Sequence, residues 1–397
     1  MDPASLALAS LLWLGSTEIA AGRGERGPWQ MNESRYDFVD DPSVAIDARG
    51  EPAVVWVDQA AKDVYFGRQG SAVNVSRSPK TFSWLPRLAL AADGSVFVLW
   101  QEIIFSGGSH GGDILFARSS DGGRNFSTPQ NLSSSVAGDG KGRIDKDRWH
   151  NGSLDLALGA DGTLYAAWTE YEGRLWLRHS RDSGMTFSEK LLIRDEKPAR
   201  APSLAVRGNE VYLAWTVGDD PSADIRVARS NDGARSFAAP VVVDRSKAYS
   251  DAPKLALDAG GTLHLVYAEG KRILYTRSTD SGRSFARPRE VAARDAGFPA
   301  LGIDAKGRLY VLWERFAEHP LLARGLGFAA SPDGGKTFTA PVLVPDSAGT
   351  GGNGSTQGLL MRKLAVSRDG EFAIVNSSFQ DKKRSRVWLI RGRLAPH

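Results

Sequence analysis

Apolar and polar residues alternate along this chain in pairs of short runs, and the pairs recur. PSVAIDARGEPAVVWVD from Pro42, PRLALAADGSVFVLWQE from Pro86 and LDLALGADGTLYAAWTE from Leu154 align beneath one another. So do the stretches that begin at Pro202, Pro253, Pro299 and, more weakly, Arg362. Each joins two period-two runs through a D-x-G-type turn, which predicts a β-hairpin. One side of the first run is bulky, as at Leu88 and Leu90 or Leu255 and Leu257. The other side is small at the same place in every copy: Ala45, Ala89, Ala157, Ala205, Ala256, Gly302 and Ala365. A sheet buried on both faces, bulky against small, suits blades packed face to face around an axis. Trp56, Trp100, Trp168, Trp215 and Trp313, with Tyr267, fall in register on the second run and are read as core wedges rather than as a sugar-stacking ladder.

A third run follows each hairpin (DILFARS, RLWLRHS, DIRVARS, RILYTRS) and ends in a turn of form S-x-D-x-G-x-S/T-F. The turn carboxylates are Asp121, Asp182, Asp232, Asp280 and Asp333. Such an Asp can accept backbone N–H groups while glycine supplies positive φ, so the recurring carboxylates are expected to be structural. The last unit stops after its third run, and the early GPWQMNES resembles fourth runs such as STPQNLSS. Residues 27–34 are therefore expected to complete the last blade and shield its edge. The fold class is all-β: a seven-bladed β-propeller in one domain, residues 27–397, with an N-terminal strand closing the last blade. A six-bladed ring is the alternative.

Composition narrows the function classes. The 397 residues carry 50 basic and 46 acidic side chains, mixed along the chain with no basic stripe, so nucleic acid is not an expected partner. There is no cysteine, which excludes disulfides and thiolate metal sites. The six histidines show no metal-ligand spacing, and neither a metal nor a cofactor is expected. Residues 1–22 hold a short apolar run followed by small residues, similar to the later part of a secretory signal but without a positive start. This predicts a leader over 1–22, a secreted or periplasmic location and no transmembrane segment. The N-x-[ST] triplets are explained by turn composition.

The five S-x-D-x-G turns resemble the Asp-box, or bacterial neuraminidase repeat, of the sialidase superfamily, and the resemblance covers nearly all of the chain after about residue 27. It implies a propeller that acts on or binds glycans, such as an exo-glycosidase for terminal sialic-acid-type sugars. A carbohydrate or glycoprotein is then the partner. A non-catalytic propeller that binds glycan or protein is the alternative, and a polysaccharide lyase a third reading. The family's chemistry uses three arginines on the substrate carboxylate, a Tyr nucleophile assisted by a Glu, and an Asp for acid–base work. The family's first arginine stands before a Pro at the first blade. Here Asp40-Asp41-Pro42 occupies that place, and Arg200-Ala201-Pro202 has the expected form in the fourth unit.

The loops from fourth to first strands and from second to third strands share one rim, the expected functional face. The long loop Ser133–Gly152 brings Asp145, Arg148, Trp149 and His150 there. The loops Arg315–Gly327, with His319, and Asp346–Leu360 are further candidates. Acids end the second run at Asp58, Glu102, Glu170, Glu269 and Glu314; they supply a general acid or pair with Arg87, Lys254 and Lys363 nearby. The candidate catalytic residues are Tyr249, Asp145 and Glu314, with Tyr36 and Tyr171 as lesser tyrosines. The candidate substrate-binding residues are Arg148, Arg200, Arg362, Trp149 and His150, which could hold an anionic sugar in a polar pocket over the axis.

Overall fold

The computed structural model describes residues 11–26, 33–78, 80–106, 109–135, 153–170, 173–194, 198–218, 223–244, 246, 248–317, 322–348, 351–354, 361–380 and 383–395. Three strands precede the first blade: β1 (Leu11–Gly22), β2 (Glu25–Arg26) and β3 (Tyr36–Asp37). Blade 1 is β4 (Val39–Ile46), β5 (Pro52–Asp58), β6 (Asp63–Arg68) and β7 (Ser71–Asn74). Blade 2 is β8 (Phe82–Leu90), β9 (Val96–Ser106), β10 (Ser109–Ser119) and β11 (Gln130–Asn131). Blade 3 is β12 (Leu154–Leu158), β13 (Leu164–Thr169), β14 (Leu175–Ser180) and β15 (Leu191–Arg194). Blade 4 is β16 (Ala199–Arg207), β17 (Glu210–Val217), β18 (Asp224–Ser230) and β19 (Val241–Val242). Blade 5 is β20 (Ser250–Leu257), β21 (Leu263–Glu269), β22 (Arg272–Ser278) and β23 (Arg289–Ala292). Blade 6 is β24 (Ala296–Ile303), β25 (Leu309–Arg315), β26 (Leu326–Ser331) and β27 (Val342–Leu343). Blade 7 is β28 (Leu364–Val366), β29 (Glu371–Gln380), β30 (Arg384–Leu394) and, on its outer edge, β1. This is a seven-bladed propeller, and the six-bladed alternative does not hold.

The core is divided among the gaps between blades. Val55 and Phe66 of blade 1 meet Val98 and Trp100 of blade 2, and Leu99 and Phe116 of blade 2 meet Leu156 and Trp168 of blade 3. The last gap closes the ring: Val44 and Trp56 pack on Ala373 and Val387. The second-strand aromatics are buried wedges, as their register predicts, and Trp100, Trp168 and Tyr267 are fully enclosed. The small first-strand residues Ala45, Ala157, Ala205, Ala256, Gly302 and Ala365 line a central cavity of about 360 Å³. Gly302 is required there, because a Cβ would lie 2.3 Å from Cγ2 of Val366.

The S-x-D-x-G turns are self-contained. In the last of them Asp333 Oδ1 accepts from the Ser331 hydroxyl (2.8 Å) and from the backbone N–H groups of Lys336 (3.0 Å) and Thr337 (2.9 Å). Its Oδ2 accepts from the Thr337 hydroxyl at 2.7 Å. The other four turns repeat the pattern, which leaves these carboxylates committed to their own turns.

The strand that closes the ring differs from the expected one. It is β1, antiparallel to β30 from Leu11↔Leu394 to Gly22↔Ser385. Residues 27–32 lie outside the described residues, and Ser34 is in no strand. The physical reason is length and pattern: Leu11–Gly22 offers 12 residues to an edge strand of 11, with Trp13 packed edge-on against Phe328 and Phe372. The same residues were read above as the end of a leader, so removal after Gly22 would strip blade 7 of its outer strand.

Five first strands share a distortion. Asp41, Leu85, Ala201, Ala252 and Phe298 have φ of 49°, 55°, 50°, 54° and 48°, and each precedes a proline. At each the pairing slips, as between Trp84 and Arg87 or between Asp251 and Lys254. A left-handed non-glycine residue is uncommon, and proline disfavours other than extended backbone before it, so these bulges are strained. They turn the chain from the rim into the blade and set the residues on either side of the proline at the mouth of the channel.

Candidate functional site at the mouth of the central channel

The residues two places before the small axial positions form a ring of their own: Ser43, Arg87, Asp155, Ser203, Lys254, Ala300 and Lys363. Some latch one blade to the next. Asp155 Oδ2 accepts from the Leu204 N–H at 2.9 Å, and the Ser203 hydroxyl oxygen accepts from the Leu255 N–H at 3.0 Å. Others gather charge at the axis. Arg362, just before β28, donates to Asp155 Oδ1 at 2.6 Å and to the Leu156 carbonyl at 2.9 Å. Arg87 Nε lies 3.8 Å from the same carboxylate oxygen. Its Nη1 donates to the Leu85 and Pro86 carbonyls at 3.4 and 3.3 Å and contacts Met361 Sδ at 3.2 Å.

Lys254 lines the central cavity. Among the described residues no hydrogen bond or ion pair reaches its ammonium. Burial pushes this lysine down to about 8; the charges of Arg87 and Arg362 add to the fall, and Asp155 and Asp251 oppose it. Burial also pushes Arg87 down to about 10, against the pull of Asp155 and Asp41. Arg87, Arg362 and Lys254 thus gather about Asp155, with Asp41 acting on Arg87 and Asp251 on Lys254, and an anion entering among the three cations would be less screened than in bulk water.

Beside it, between blades 4 and 5, Arg200 and Tyr249 form a second cluster. Arg200 Nε donates to Asp251 Oδ1 at 3.2 Å, and its Nη2 donates to the Tyr249 hydroxyl. The guanidinium lies 5.0 Å from the centre of the Tyr249 ring. Asp251 Oδ1 also accepts from the Thr216 hydroxyl at 2.9 Å and from the Ala252 N–H at 2.7 Å. Burial pushes the Tyr249 phenol up to about 12, with the charge of Asp251 adding to the rise and Arg200 opposing it. The partners of this phenol are Arg200 and Asp251; a nucleophilic tyrosine would call for the opposite shift.

Glu314 is 1% exposed, bound to Lys363 Nζ at 2.5 Å and to the Asn353 amide at 2.6 Å. The other acids ending second strands are engaged in the same way. Glu170 accepts from the Trp176 indole at 2.8 Å, and Glu269 from Arg272 at 2.5 Å. Glu102 accepts from the Trp100 indole at 2.8 Å, from the Ser83 hydroxyl at 2.8 Å and from Thr81; burial pushes it up to about 7. Of the predicted binding residues, Arg362 comes to the axial mouth and Arg200 to the neighbouring cluster. Asp145, Arg148, Trp149 and His150 lie outside the described residues, as do Tyr171 and His319.

Asp155 was not singled out from the sequence, and Arg87 and Lys254 were read only as partners of rim acids. The signal that finds them is their common place two residues before the axial alanine. Among the described residues no group of acids and histidines is arranged to hold a metal, and no helix is long and apolar enough to cross a membrane.

No family model matches this sequence, and no curated protein matches it. Solved structures do resemble its fold. An ulvan lyase, from a new polysaccharide lyase family, superposes with a TM-score of 0.56 at 13% identity, over 94% of this chain and 95% of the lyase. The α-L-arabinofuranosidase of Fusarium graminearum, solved with arabinobiose, gives 0.52 at 13% identity, over 78% of this chain and 92% of the enzyme. A Hadza microbial sialidase gives 0.50 at 14% identity, over 84% of this chain and 73% of its own. At such identities the likeness is one of fold: this chain shares its propeller with proteins named as carbohydrate-cleaving enzymes.

Proposed function

We propose that this propeller binds or cleaves an acidic carbohydrate, taking the sugar carboxylate at the mouth of the central channel. The observation that carries the reading is the gathering of Arg87, Arg362 and Lys254 about Asp155 at the axis. An arginine fork matches a carboxylate in shape and charge, and Lys254, with no partner among the described residues, is the group with donors to spare. The fold likeness to carbohydrate-cleaving propellers supports the same class of ligand. The five Asp-box-like turns favour a sialidase-type exo-glycosidase as the catalytic form, with Arg200 and Tyr249 beside the sugar. The occupied environments of Tyr249 and Glu314 favour the binding form.

A fluorogenic sialoside assay, run beside an acidic-glycan binding screen on wild type, Lys254→Gln and Arg200→Ala, separates the forms. Turnover lost in both variants supports the hydrolase. Binding without turnover, weakened by Lys254→Gln, supports the lectin-like form. Neither signal from folded wild type overturns the acidic-sugar reading.

A further inference from the structure

Among the described residues, the longest row of aromatic side chains beside the axial cations runs along blades 7, 1 and 2, while Tyr249 and the Phe298–Phe316 pair stand elsewhere on the rim. Tyr36 of β3 and Phe38 lie with ring centres 5.6 Å apart. Tyr36 is 6.3 Å from Phe82, and Phe82 is 6.3 Å from Trp84 at an edge-on angle. Phe38 continues the row to Phe379 of blade 7 at 5.3 Å. Phe38, Phe82 and Phe379 are buried and form the floor; Tyr36 and Trp84 are partly exposed. Trp84 stands three residues before Arg87 on β8, across the strained Leu85-Pro86 bulge, so the row ends directly above the charged mouth. On the opposite lip the same bulge positions carry Arg200 and Asp251 instead.

Two buried polar groups lie under the exposed end of the row. Among the described residues, the Trp84 indole N–H and both polar atoms of the Gln101 carboxamide have no hydrogen-bond partner. Gln101 is Trp84's cross-strand partner and is fully buried. Pyranose rings have apolar faces that stack on aromatic side chains, and the partly exposed rings of Trp84 and Tyr36 present such faces.

Resting on the acidic-sugar reading, we infer that the site extends from the axial cations across Trp84 and Tyr36, and that its ligand is an internal stretch of an acidic polysaccharide rather than a single terminal sugar. The unit bearing the carboxylate sits over Lys254 and Arg87, and its neighbours along the chain stack on Trp84 and then on Tyr36.

The test is calorimetric titration of the full chain with monosaccharides and with hexasaccharides from polygalacturonate, alginate, hyaluronan and polysialic acid. At least one hexasaccharide should bind about tenfold or more tightly than its own monosaccharide, the gain expected of about one good stacking contact. Trp84→Ala should erase that gain and leave monosaccharide affinity in place, while Trp84→Phe keeps most of it; a thermal melt of each variant checks folding. Tyr36→Ala should remove the smaller, outer share. Equal affinity for monosaccharide and hexasaccharide in every series would overturn the extended site while leaving the acidic-sugar reading standing. A gain that survives both alanine variants would overturn the role of the aromatic row. No binding of any acidic sugar would remove the reading on which the inference rests.

Discussion

Single side chains decide the chemistry at the mouth of the channel, and Lys254 is the most exacting of them. Its proton is held weakly because burial and two neighbouring guanidinium groups disfavour the charge. Affinity for an acidic sugar should therefore fall as pH rises through about 8. Lys254→Gln should bind about tenfold more weakly at neutral pH and lose that dependence. Titration of both proteins from neutral to alkaline pH checks this, and a parallel decline in the variant would assign the effect elsewhere. Glu102 gives the opposite kind of signal, in stability. Its carboxyl, near 4.5 when unfolded, is raised to about 7 by burial, so the folded state holds its proton more tightly. The stability it contributes is complete below 4.5 and is lost as pH rises through about 7. Subtracting the Glu102→Gln stability curve from that of wild type should leave a fall of up to about 3 kcal/mol across this window; a flat difference would refute it. The turn aspartates act with the other sign, being held below the usual carboxylate range by their hydroxyl and N–H donors. Their contribution is present above the unfolded value and lost only in strong acid. Asp333→Ala should cost about 1–2 kcal/mol through the donors it leaves behind, with sugar affinity per folded molecule unchanged.

Elements carry what repetition made legible. The hairpins, the second-strand wedges and the small axial residues follow from period-two patterning copied around the ring, and each copy corroborates the others. The folded turns around the recurring Asp are legible for the same reason. The closing strand was misplaced because a fourth strand has little pattern of its own: β11, β19 and β27 are two residues long, so any short polar-apolar stretch passes for one. The axial cluster was half legible. Arg87 and Lys254 were visible at first-strand starts, but Asp155 follows Leu154 instead of the usual proline and drew no attention. Neither could the side-chain pairing of Arg200 with Asp251 be read from a linear pattern, since it depends on the bulges. Deleting residues 1–22 should lower Tm sharply by baring the edge of β30, whereas replacing residues 27–32 with a Gly/Ser linker should change it little. Differential scanning calorimetry distinguishes the two, and the reverse order would show that β1 does not close the ring.

At the scale of the whole molecule, the inter-blade cores make every blade depend on two neighbours, and the blade 7–blade 1 gap depends on both ends of the chain. Synthesis imposes an order on this. Leu11 leaves the ribosome long before its partner Leu394. While the seven blades are being made β1 has nowhere to pair, and blade 7 is completed only once β30 has emerged. Such a distant pairing forms late and slowly. Until it forms, a nascent chain presents one loose strand and, at the end, one open edge of matching register. Two neighbouring chains on one message could satisfy each other by trading β1, giving a dimer with the same contacts as two monomers.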